Sequence, residues 1–233
     1  MNKENDLQHY LSISSNKFGI YLFETKSLKN LYKEEITFNS ERDFLNYDLL
    51  KKFLDDNIFK IEKLNKKFVD NIILILEDNK IFNLELGIKK KNYNHSITRE
   101  YLESSIIEAK DLFRENYQDQ EIIHMIINKY FINGESYLLF EENLKCDNFS
   151  LEIQFKSISN NIIYDLNKVL ENYQIKITKY LDGNYVKTYF KNEMSLTEMS
   201  YRILCGYNQN EVTFVPKSTR KPALFEKFFQ LFS

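Results

Sequence analysis

The chain has 233 residues, 43% of them hydrophobic and 28% charged, which fits one large or two small folded domains and excludes wholesale disorder or a membrane-spanning bundle. Its 32 basic and 34 acidic side chains give a formal net charge of -2, so no overall positive field gathers phosphates and no nucleic-acid partner is expected. The two cysteines, Cys146 and Cys205, lie far apart, which suggests neither a disulfide framework nor a zinc site, and with only 5 glycines there is little material for phosphate-cradling loops.

Residues 1–16 are polar and aperiodic and read as a loose leader without secretory features. KFGIYLFE and LKNLYKEEITF read as strands around the polar turn ETKS. Ser40 with Asp43 then opens an amphipathic helix whose apolar side holds Phe44, Leu45, Leu49, Leu50, Phe53, Ile58 and Ile61. FVDNIILILED and KIFNLELGIKK are two further strands joined at Asp78-Asn79, the first apolar enough to be covered on both faces.

Ser96 or Thr98 caps a second helix with Tyr101, Leu102, Ile106, Ile107 and Leu112 on its apolar side. EIIHMIINKYFING is a strand ending in an Asn-Gly turn, and FSLEIQFKSIS alternates as a half-buried strand. A helix from Ser159-Asn160 presents Ile162, Ile163, Leu166, Val169 and Leu170, after which QIKITKYL returns as a strand. A short helical piece around Tyr185 to Met194 precedes YRILCGYNQNEVTFVP, which reads as a hairpin turning at Tyr207 to Asn210.

The last segment differs in kind. Leu224, Phe225, Phe228, Phe229 and Phe232 fall on one face of a helix that starts at Pro222, with Glu226, Lys227 and Gln230 opposite and Lys217, Arg220 and Lys221 just upstream. The segment is far short of the ~20 residues that span a bilayer, but its pattern suits a helix lying in the headgroup plane. The five apolar side chains would dominate binding at about 1.5–3 kcal/mol each when fully buried, against about 1 kcal/mol for each base. The competing reading is a helix packed on its own domain.

Other charged features read as ordinary surface. Lys51-Lys52, Lys66-Lys67 and Lys89-Lys90-Lys91 suit solvated faces, and Asp55-Asp56 and Glu141-Glu142 point apart. His9, His95 and His124 form no triad or metal cluster, so no catalytic residue, cofactor site or metal site is assigned.

The helix carrying Ala109-Lys110, the strand IHMIINKYFING and the run LEIQFKSISNNIIYDLNKVLENYQIKITKYL together resemble the 1C subdomain of FtsA, the actin-like bacterial cell division protein. Upstream, DLLKKFLDDNIFKIEKLNKKFVDNIILILEDNKIFNLELG is similar to the helix and strands before that insert, so the resemblance covers roughly residues 17–206 and rests on colinear order. It implies a mixed α+β and α/β fold: a partial actin-like, ribonuclease H-like domain with an inserted strand-helix-strand 1C-type subdomain and a C-terminal amphipathic helix.

The implied division is a flexible leader (1–16), a partial actin-like domain (17–96), a 1C-like interaction subdomain (97–181), a return segment and hairpin (182–216), and a basic linker with a membrane helix (217–233). The family binds ATP through two Gly-rich hairpin loops. Here the corresponding stretches, FGIYLFETKSLKN with Gly19 and ILCGYNQNEVTF with Gly206, hold one glycine each, and the rest of a second actin-like domain is missing, so nucleotide binding is expected to be lost.

The resemblance then implies a membrane-associated divisome adaptor, not an enzyme. Its tail would hold it on the cytoplasmic face of the bacterial inner membrane at the division site, and the 1C-like part would contact other division proteins or itself. The region that binds the tubulin-like FtsZ has no counterpart, so direct FtsZ binding is not expected. Two other readings stay open: an actin-like ATPase completed by a second chain, and a scaffold related to the actin-like pilus assembly protein PilM.

Overall fold

The computed structural model describes residues 6–38, 46–77, 80–190 and 194–213. In chain order the elements begin with strands β1 (Leu7–Ser14), β2 (Lys17–Glu24) and β3 (Lys29–Thr37), helix α1 (Tyr47–Asn65), and strands β4 (Asn71–Glu77) and β5 (Phe82–Ser96). Helix α2 (Arg99–Asn116) and strands β6 (Gln120–Ile132), β7 (Glu135–Tyr137) and β8 (Lys145–Ser159) follow. The described part closes with α3 (Asn160–Glu171), β9 (Lys176–Asp182), α4 (Gly183–Tyr189) and α5 (Leu196–Leu204). The described residues fall into two units, one joining those from 6 to 81 with those from 159 to 205, the other holding 82–158 and 206–213.

The first unit is built on a five-stranded sheet ordered β3-β2-β1-β4-β9. Strands β1, β2 and β3 form an antiparallel meander, while β4 runs parallel to β1 and β9 parallel to β4. Because side chains alternate across a strand, one face carries Tyr10, Tyr21, Phe23, Ile73, Ile75 and Leu181, which pack with Val186, Met199 and Ile203 of α4 and α5. On the opposite face Phe18 meets Phe53 of α1 with ring centroids 6.1 Å apart, and Leu50, Leu54, Ile58 and Ile61 of that helix are buried.

Local chemistry sets the helix ends. Asn46 caps α1, its Oδ1 accepting the Leu49 amide at 3.1 Å, and Lys66 ends it in the left-handed region at φ 55°. The expected start at Ser40 and Asp43, with Phe44 and Leu45, and the turn Asp78-Asn79 lie outside the described residues. Thr98 is the cap of α2, accepting the Tyr101 amide at 3.3 Å, and Ser159 caps α3.

The second unit is a four-stranded sheet ordered β5-β8-β6-β7. Strands β5 and β8 pair antiparallel from Phe82↔Ser157 to Ser96↔Lys145. Asn133 and Gly134, at φ 53° and 91°, form the positive-φ turn between β6 and β7 that the Asn-Gly signal predicts. Leu102, Ile106, Ala109 and Phe113 of α2 share a core with Met125, Ile127, Phe149, Leu151, Ile153 and Phe155.

Three sequence expectations are corrected. Within the expected leader, Leu7–Ser14 is in fact β1, the middle strand of the first sheet, with Tyr10, Leu11 and Ile13 fully buried and backbone partners on both edges. The expected hairpin from Tyr201 is helical up to Leu204: Ser195 accepts the Glu198 amide at 3.2 Å, and Arg202 pairs with Glu198 one turn on. Beyond it Glu211 makes a single antiparallel bridge to Ile126 of β6.

The third concerns boundaries. The expected interaction subdomain, 97–181, spans both units. β5 pairs with β8 from Phe82 to Lys91 and again at His95 and Ser96, whereas α3 and β9 belong to the first unit, where β9 completes the sheet beside β4. Of the expected return segment, the described residues 182–190 and 194–205 stay in the first unit and 206–213 lie in the second.

Phe155 is fully buried and stacks on Phe113 at 4.8 Å. Phe155→Ala should destabilise the second unit by about 3–5 kcal/mol. Urea denaturation combined with amide exchange of β5 and β8 measures this, and a loss under about 1 kcal/mol would show that the ring is not part of the core.

Candidate functional site

Ligands of open α/β sheets gather where parallel strands end, because backbone groups and helix starts converge there. In the first unit that edge is made by the ends of β1, β4 and β9. Register places Ser14 beside Glu77 and Leu76 beside Asp182. The β1–β2 turn, Ser15-Asn16, returns the chain along the same edge.

Asp182 is 2% exposed and caps α4, its Oδ1 accepting the amides of Asn184 at 2.9 Å and Tyr185 at 3.2 Å. Gly183 follows because a side chain there would sit 2.4 Å from Glu77 Cγ and 3.0 Å from Ile75 Cγ2. This bare position lets α4 lie close on β4, and Lys187 of α4 pairs with the Glu77 carboxylate.

Further along the edge, Ser12, Gly19 and Glu35 occupy one rung across β1, β2 and β3. A Cβ on Gly19 would stand 2.3 Å from the Tyr21 hydroxyl and 2.6 Å from Ser12 Oγ. Its absence makes room for the Tyr21 hydroxyl, which donates to Glu35 Oε1 at 2.7 Å and lies 3.2 Å from Ser12 Oγ. Lys17 and Lys33 reach the same carboxylate at 2.7 and 3.1 Å. Burial alone would raise the Glu35 carboxyl, but hydrogen bonds from Lys17, Tyr21 and Lys33 outweigh it and hold it down at about 2. Burial raises the Tyr21 hydroxyl.

The edge is therefore a saturated lattice in which Lys17, Lys33 and Lys187 already face Glu35 or Glu77. The β1–β2 turn contains no glycine and none of the positive-φ residues, so it does not form the alternating backbone nest that wraps a phosphate. Sequence reasoning sought the first phosphate loop between β2 and β3; the turn on the carboxyl edge is one hairpin earlier. Gly19 lies inside β2, and Gly206, at φ 80°, follows the α5 C-cap Cys205 as a helix terminator.

The histidines stay apart: His124 Nδ1 meets Glu211 Oε1 at 2.6 Å in the second unit, His9 Nδ1 lies 3.2 Å from the Asn71 carbonyl in the first, and His95 pairs with Cys146 in register. Among the described residues no group of three His, Cys, Asp or Glu side chains can hold a metal, and no helix is long and apolar enough to cross a membrane. The expected membrane-binding residues Lys217, Arg220, Lys221, Leu224, Phe225, Lys227, Phe228, Phe229 and Phe232 lie outside the described residues. Sequence reasoning missed Asp182-Gly183, whose signal was an Asp-Gly pair at the junction of a strand and a helix.

No protein-family model matches the chain, and no curated protein matches it in sequence. Among solved structures it is similar to a chain of the PilM-PilN type IV pilus biogenesis complex, at 9% identity and a TM-score of 0.50 over 78% of this chain and 49% of that one. Two others are the cytoplasmic domain of EpsL, an inner membrane component of the Vibrio cholerae type II secretion system (6% identity, TM-score 0.35, 77% and 57% covered), and a Bacteroides thetaiotaomicron protein of unknown function with an actin-like ATPase fold (11%, 0.34, 80% and 56%). The chain spans about half the length of these proteins. At 9% identity the likeness to the first of these is one of fold.

Glu35 gives a test of the lattice. A carboxyl held below its unfolded value adds stability that is complete above about pH 4.5 and is lost as the pH falls toward about 2. Glu35→Gln should therefore be less stable than the parent near pH 6, with the gap closing over that acid window. Urea midpoints across the range measure it, and a constant gap would mean that Glu35 is not held by its three donors.

Proposed function

We propose that the protein is an actin-fold assembly scaffold that works by binding other proteins at a membrane surface and not by turning over nucleotide. The observation that carries this reading is the carboxyl-end edge of the first sheet. Lys17, Lys33 and Lys187 already face carboxylates, and the β1–β2 turn lacks a nest, so neither free cations nor converging amides are offered to a triphosphate there.

The fold likeness to a protein solved in a pilus biogenesis complex supports a role in assembly, with the second unit as the partner-binding module. The colinear resemblance to the FtsA family supports the same scaffold class with a divisome role. The pilus neighbour favours the PilM-like version of the reading. Membrane attachment on the cytoplasmic side of an inner membrane rests on the pattern of Leu224, Phe225, Phe228, Phe229 and Phe232 beside Lys217, Arg220, Lys221 and Lys227.

Calorimetric titration with magnesium and ATP should give no binding up to about 1 mM, and micromolar affinity would overturn the nucleotide-independent reading. Phe228→Asp with Phe229→Asp should lower co-sedimentation with phospholipid vesicles and leave the urea midpoint unchanged. Unchanged sedimentation would remove the tail as an anchor, and a lowered midpoint would show a helix packed on its own domain.

A further inference from the structure

The solvent side of α1 carries a feature that neither the sheet nor the helix needs. Phe59 is 72% exposed, Leu64 55% and Phe68 84%, although the chain has fully buried positions for other aromatic rings. Lys60 and Lys63 are exposed on the same last turns, and Lys66 and Lys67 are exposed just before Phe68. Phe59 and Lys63 are stacked one turn apart, as are Lys60 and Leu64, so apolar and basic side chains interleave.

The ordinary explanation for lysines at a helix C-terminus is the macrodipole, which places about half a negative charge there. Lys63 in the last turn already meets that need. Three further lysines and two exposed phenylalanines exceed it. The acids of this stretch are Glu62, whose carboxylate accepts the Val69 amide at 3.1 Å, and Asp70; four lysines against these two leave an excess of two positive charges. No ion pair to any of the four lysines occurs among the described residues.

We infer that this end of α1, with the loop through Phe68, is a docking surface for an anionic phospholipid bilayer, separate from the C-terminal segment. Phe59, Leu64 and Phe68 suit the shallow acyl boundary, and the lysines suit phosphate headgroups while their stems lie along the apolar patch. A protein partner is less well matched, because interface cores are depleted in lysine. Near an anionic leaflet each lysine strengthens binding roughly fivefold, an effect that fades with salt. The inference is independent of the scaffold reading, since it uses only residues of the first unit.

The experiment uses the full chain carrying Phe228→Asp and Phe229→Asp, so that the tail and the patch are measured apart. Its sedimentation is followed with vesicles of phosphatidylcholine alone and with phosphatidylglycerol added. The tail-substituted chain should still bind the anionic vesicles and release them at high salt. Adding Phe59→Ser and Phe68→Ser should weaken that binding about tenfold or more, and a separate Lys63→Glu, Lys66→Glu, Lys67→Glu variant should remove the preference for phosphatidylglycerol.

The substituted patch side chains, Phe59, Lys63, Lys66, Lys67 and Phe68, are exposed, so the urea midpoint of each patch variant should match that of its tail-substituted parent, and the two variants check each other. A tail-substituted chain without affinity for anionic vesicles, or patch variants that bind as tightly as their parent, would overturn the inference. So would intact vesicle binding with lost affinity for soluble polyglutamate, which would identify an acidic protein segment as the occupant. Failure of the tail reading looks different: substituting the tail changes nothing, while substituting the patch abolishes binding.

Discussion

β1 shares backbone hydrogen bonds with β2 on one edge and with β4 on the other, antiparallel on the first and parallel on the second. That double commitment fixes the first unit. Leu11 and Ile13 must face α1 while Tyr10 and Ser12 face α4 and α5, and a slip of one residue would exchange the two sets. The same register aligns Ser12 with Gly19, and so determines where the Tyr21 hydroxyl and the Glu35 carboxylate meet.

The carboxyl edge shows how two glycines can serve packing where a phosphate loop would need them for backbone freedom. Neither Gly19 nor Gly183 has positive φ; each is bare because another side chain occupies the volume its own would fill. At Gly183 the neighbour is Glu77, which is thereby drawn against α4. Both positions bring acids into contact with fixed donors, and the result is a rigid polar lattice on the face shared with α4 and α5.

Much of the fold was legible because apolar periodicity is strong where elements bury one face. α1, α2 and α3, the apolar β4 and the alternating β8 all announce themselves in this way. β1 did not, because Gln8, His9, Ser12 and Ser14 interrupt its apolar residues. Those side chains are tolerated only through remote or folded-state partners: Gln8 takes the Tyr10 hydroxyl at 2.6 Å and Ser12 lies beside Tyr21. α5 was misread because Tyr201, Ile203 and Cys205 suit a strand, while the Ser195 and Glu198 pair that starts the helix is a weaker signal. The lattice around Glu35 was illegible because Lys17, Tyr21 and Lys33 come together only through register. The patch on α1 was visible as lysine pairs, but exposure of Phe59 and Phe68 on one end of the helix is a property of the fold.

The ladder that joins Phe82 to Ser157 bears on how the chain reaches its final state. β4 and β9 pair Asn71 with Lys176, so an unstructured connection between them would be long and entropically slow to close. Once β5 and β8 zip together, the intervening polypeptide behaves as a short link whose two ends emerge side by side. The insertion thus acts as a clasp: with Phe82 held against Ser157, the loop that must close for β9 to pair with β4 is far shorter than the sequence separation of the two strands.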